Sequence, residues 1–127
     1  MSKANPAGAQ LAESIGKLAL DKKAENILII DLLGTAAITD FFVVCSAATD
    51  MQVKAIADAV RKGTENKPWH IEGYDQLMWV LLDYVDVVVH IFRDSARGFY
   101  QLERLWADAP SRTIKDESEE IFSPPTD

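Results

Sequence analysis

The 127-residue chain fits one domain, which buries roughly two-thirds of the surface its unfolded form exposes and needs neither disulfides nor metal to fold. Its net charge of −7, from 13 basic and 20 acidic side chains, repels a phosphate backbone, and no basic stripe with interleaved aromatics offsets it, so direct nucleic-acid recognition is disfavoured and a basic protein partner fits better. The single cysteine, Cys45, cannot form an internal disulfide, the opening residues hold no apolar signal core, and no later run is long enough to span a bilayer; a soluble, cytoplasmic protein without membrane contact is expected.

The first predicted element is a helix from about Ala7 to Leu20, with Asn5 as cap, Pro6 at the first helical position, and Leu11, Ile15, Leu18 and Ala19 on one face. Two continuous apolar runs follow, Asn26–Asp31 and Asp40–Ser46, separated at Gly34 and Thr35; both read as strands covered on two faces. Thr49 and Gln52 have capping-box spacing, so a second helix starts there, with Val53, Ile56, Ala57 and Val60 as its buried stripe and Gly63 and Pro68 as its stop. Three shorter strands are predicted at Trp69–Glu72, Met78–Asp83 and Asp86–Phe92, the last two forming a hairpin that turns at Tyr84-Val85 without the glycine or asparagine such turns prefer. A final helix runs from Asp94 or Ser95 to about Asp108, with Phe99, Leu102, Leu105 and Trp106 as its apolar face. The order α-β-β-α-β-β-β-α predicts an α/β fold, a mixed five-stranded sheet with three packed helices. Residues 1–109 are expected to form this single domain and 110–127, with a net charge of −3, a disordered acidic tail.

The sequence is poor in catalytic patterns. Cys45 sits mid-strand, where thiols are mostly inert filler, and His90 alternates with Val88 and Phe92 as a packed strand residue does. His70, Glu72 and Asp75 make a conceivable three-ligand set, but the paired Cys or His spacing of structural zinc is absent, and a solvated polar strand face explains them better. No glycine-rich phosphate loop is present. Asp31, Asp40, Asp83 and Asp86 could in principle hold magnesium for nucleotidyl transfer, although acids at strand ends are more often turn formers. No catalytic residue, metal site or cofactor is therefore assigned.

Aromatic residues carry the stronger signal. Trp79, Leu81 and Asp83 share one strand face, while Met78, Val80 and Leu82 share the other. Both faces being apolar, Trp79 is either core or an interface anchor. Trp69 and Trp106 read as structural.

Five segments, Ile38–Ser46, Gln52–Asp58, Glu72-Gly73 with Trp79 six residues after the glycine, Asp86–Phe92, and Arg97–Trp106, resemble in order the signature of the ribosomal silencing factors, the Iojap-like family. The resemblance covers roughly Leu11 to Asp108. It implies a nucleotidyltransferase-like fold without the catalytic acids, no enzymatic activity, and binding to the large ribosomal subunit through its protein numbered fourteen. Occupying that inter-subunit face would block association with the small subunit and repress translation under nutrient limitation. On this resemblance Trp79 is the interface tryptophan, and Tyr74, Asp75, Met78 and Asp83 are candidate contacts. Arg97 and Tyr100, three apart on one helix side, either brace the sheet or extend the interface, and bracing is the favoured reading. Three positions depart from the pattern: Ala47 and Met51 stand where the family has glycine and arginine, and Val85 where the hairpin has glycine. The alternatives are a small magnesium-dependent enzyme using the strand-end acids and a homodimeric scaffold that self-associates through Trp79.

Overall fold

The computed structural model describes residues 4–100 and 106–115, without the side chains at 98–100. Its elements are α1 (Pro6–Asp21), β1 (Glu25–Asp31), β2 (Phe41–Ala47), α2 (Asp50–Gly63), β3 (His70–Glu72), β4 (Trp79–Asp83), β5 (Val87–Arg93), α3 (Asp94–Tyr100) and β6 (Ser111–Ile114). They form one mixed sheet of order β3-β4-β5-β2-β1-β6, antiparallel except for the β2–β5 pair.

The caps read from the sequence are in place. The Asn5 side chain accepts the amide of Gly8 at 2.9 Å, and Thr49 accepts that of Gln52 at 3.2 Å, each satisfying an amide that the first helical turn leaves open. Gln52 does not complete the capping box; its amide nitrogen instead reaches the carbonyls of Lys22 and Lys23 and ties α2 to the turn after α1.

Ala12, Ile15 and Ala19 of α1 and Val53, Ile56, Ala57 and Val60 of α2 pack on one face of the sheet, against Ile27, Ile29, Val43, Cys45, Val80, Leu82, Val89 and Ile91. Each Ile, Leu and Val among them contributes about 1.5–3 kcal/mol on burial, which is where the fold gains its stability. Phe41, Val43, Val44, Cys45, Ser46 and Ala47 are all buried, as befits a central strand with cover on both sides.

Among the described residues the sheet has six strands, not the five expected. Residues assigned to the tail, Ser111–Ile114, pair antiparallel with β1 over Ile27↔Ile114 to Ile30↔Ser111. The Pro110 carbonyl accepts the amide of Asp31 at 2.8 Å and sets the register. Ile114 points into the helix-side core beside Gly16, and Arg112 pairs with Glu13 of α1. The remainder of the expected tail, 116–127, lies outside the described residues, as does 101–105 of the predicted last helix.

Candidate partner-binding face

Strand alternation places a second set of side chains on the sheet face away from α1 and α2. Cross-strand pairing arranges them in rows: Trp79 beside Phe92 and Ser46, then Leu81 beside His90 and Val44, then Asp83 beside Val88 and Phe42. Among the described residues, Ala96 of α3 and the Trp106–Ala109 turn cover part of this face; Phe42, Trp79, Leu81 and Val88 stay partly exposed.

Phe92 and His90 both hold Trp79. Its ring stacks on Phe92 at a 5.0 Å centroid separation, it lies 5.8 Å from the His90 ring, and its indole N–H donates to His90 Nδ1 at 3.1 Å. That bond fixes the neutral tautomer of His90 with its proton on Nε2, and this atom, fully buried, has no hydrogen-bond partner among the described residues. Burial lowers the His90 pKa to about 4, so the ring stays neutral at ordinary pH. Phe42 meets the same ring edge-on at 4.6 Å.

The approach to Trp79 is set by Gly73, whose φ of +93 places the missing Cβ only 2.0 Å from the Trp79 carbonyl oxygen. No side chain fits there, so the loop can close tightly only on glycine.

The other candidate contacts do not gather on one surface. Tyr74 turns toward α2, donating its hydroxyl to Asp58 at 3.0 Å under the Arg61 guanidinium, 5.3 Å from the ring centroid. Asp75 is exposed in the loop. Met78 was expected beside Val80 and Leu82, but it precedes β4 and packs with Trp79 on the opposite face; Leu77, at φ 58, breaks the extended alternation just before it. Asp83 lies at the far end of β4, where its carboxylate accepts the Val85 amide at 2.8 Å.

The groups weighed for chemistry are otherwise employed. Cys45 is fully buried and burial pushes its thiol up to about 12. Asp31 accepts the Leu33 amide and Asp40 the Asn5 side chain, so these acids serve as turn and cap acceptors. His70 and Glu72 bond to each other at 2.7 Å, and no cluster of three or more metal-ligating side chains occurs among the described residues. No described helix is long and apolar enough to cross a membrane. Arg97 braces, donating to the Asn26 carbonyl at 2.7 Å and to Ser46 Oγ at 3.3 Å, which ties α3 to the outer end of β1.

One correction concerns Trp69. Read as structural, it is 81% exposed, whereas Trp106 is half-buried and meets Phe42 edge-on at 6.2 Å. Trp69, Ile38, Val85 and Val88 converge on an apolar groove of about 640 Å³ with Phe42 and Trp106 at its base. Four separate segments build it, so no local sequence pattern announces it; the hint available was valine at a hairpin position that prefers glycine.

The model of a family described as ribosomal silencing factor during starvation matches residues 5–126. The chain belongs to the ribosomal silencing factor family. The silencing factor of Halalkalibacterium halodurans is 44% identical over 94 residues, covering 72% of this chain and 80% of that protein. That of Bacillus subtilis is 42% identical over 93 residues, 71% of this chain and 79% of the relative. A crystal structure of a protein from Chromobacterium violaceum superposes with a TM-score of 0.75 at 26% identity, over 78% of this chain and 85% of the other. In this family member, then, the stacked Trp79 and the groove beside Trp69 lie on a scaffold shared with solved structures.

Proposed function

We propose that the protein silences ribosomes by occlusion. It binds the large subunit through the ribosomal protein numbered fourteen, covers the face that meets the small subunit, and so represses translation in the cytoplasm when nutrients are limiting. Family membership over residues 5–126 carries the ribosomal part of this reading. The contact is the Trp79 patch, with Met78 beside it, Asp75 and Asp83 supplying negative charge, and Tyr74 holding the loop in place. A tryptophan fixed by stacking and a hydrogen bond before binding loses little freedom on docking, which favours affinity. A net charge of −7 suits a basic ribosomal protein. Inhibition requires no chemistry, only competition for one surface, and is set by affinity and concentration; calorimetry with ATP and magnesium is expected to show no heat.

Co-sedimentation with isolated large subunits tests the reading. Wild type pellets with them and prevents their joining with small subunits on a gradient. Trp79→Ala weakens binding about tenfold or more. Because Trp79 also packs, circular dichroism must show the variant folded, and Asp75→Lys, on an exposed loop residue, weakens binding several-fold without that complication. Wild type that stays in the supernatant refutes the function; a folded Trp79→Ala protein that pellets as before refutes the anchor.

A further inference from the structure

The apolar groove at the lower end of the same sheet face is costly to keep. Ile38 and Trp69 are 104% and 81% exposed, and Val85 is 59% exposed. Val85 also holds φ +77, with the Asp86 amide donating to the Tyr84 carbonyl across it at 3.0 Å, a γ-turn of the rarer, strained hand. A β-branched residue is poorly suited to that region, and glycine would occupy it without strain. Strain together with solvent-facing hydrophobic surface in one place marks a surface built to be covered.

Charge decides what covers it. Among the described residues, Asp83 is the only charged side chain lining the groove and no cation lines it; Asp86 is exposed just beyond Val85. Phosphate is repelled by such a rim and gains nothing from the apolar floor, which excludes RNA as occupant. A second copy of this chain would bring another −7 and the same acidic rim. An aliphatic side chain flanked by lysine or arginine satisfies both features at once. The groove is continuous with the proposed anchor: Asp83 and Trp79 are four residues apart on β4, about 13 Å at the usual strand rise.

Resting on the ribosomal reading above, we infer that the groove bounded by Ile38, Trp69 and Val85 is a second anchor site, taking an apolar side chain from a basic segment of the ribosomal protein partner. Trp79 and this groove then grip the partner at two points and fix its orientation.

The test uses the full chain and purified large subunits. Trp69→Ser and Ile38→Asp, at exposed positions, each weaken co-sedimentation about tenfold with unchanged melting temperature. Val85→Gly raises the melting temperature yet weakens binding, opposite signs that loss of structure cannot produce. A benzophenone amino acid in place of Ile38 crosslinks to a ribosomal protein on irradiation. Crosslinks to ribosomal RNA, to a second copy or within the chain overturn the inference, as does undiminished binding by Trp69→Ser and Ile38→Asp while Trp79→Ala is released; that last result leaves the ribosomal function standing. Wild type that fails to bind large subunits overturns the function and the inference together.

Discussion

Val85 and His90 show what single residues cost this fold and what they supply. At φ +77, Val85 is strained where glycine is not, so Val85→Gly is expected to stabilise the protein by about 1 kcal/mol despite the greater freedom glycine gives the unfolded chain; urea denaturation measures it. His90 is 4% exposed and its pKa is lowered to about 4 by burial. Below the ordinary histidine value the unfolded chain takes up a proton that the folded one refuses. Stability is therefore full at neutral pH and is lost as pH falls from about 6.5 toward about 4. Between pH 7 and pH 5 this amounts to on the order of 2 kcal/mol, and denaturation curves of His90→Gln should lack that share of the acid sensitivity. In the folded chain the ring takes its proton only near pH 4, and there Nδ1 can no longer accept the indole N–H, so Trp79 loses its tether. The sequence placed His90 correctly as a packed strand histidine; its bond to Trp79 depended on strand register, which no local pattern encodes.

At the scale of elements, the long strands and both N-caps were legible because each repeats its signal. The run Phe41–Ala47 is apolar at consecutive positions, and that is the mark of a strand with cover on two faces. The edge strands were harder to read. β3 has three residues, so the exposure of Trp69 just before it could not be told from periodicity. β6 has four residues of which only Ile114 is apolar, a pattern indistinguishable from a polar tail until β1 offers its free edge. Ile114→Ala is expected to cost about 2 kcal/mol by emptying the space beside Gly16, and to quicken hydrogen exchange along Ile27–Ile30 as β6 loosens. Unchanged exchange in that strand would mean that the β1–β6 ladder holds without its apolar plug. The placement of the candidate residues was half legible: strand alternation puts Trp79 on the face away from the helices, whereas the split between Tyr74 on the helix side and Met78 on the other turned on the left-handed backbone at Leu77.

Taken whole, the molecule separates its forces by place. Apolar burial between helices and sheet holds the fold, while its acidic surface works at a distance. If the proposed function holds, binding to large subunits weakens as ionic strength rises, mainly through slower association, with the apolar contacts keeping the dissociation rate nearly constant; surface-sensor kinetics across a salt series checks both arms. Equal association rates at low and high salt would remove charge complementarity from the account. Cys45 gives this architecture a practical use. It is the chain's one thiol, 0% exposed in the central strand, and protonation keeps it unreactive. A maleimide dye can then report on a cysteine introduced at the surface while the native thiol stays dark, and any labelling of Cys45 itself becomes a clock for how often the sheet opens.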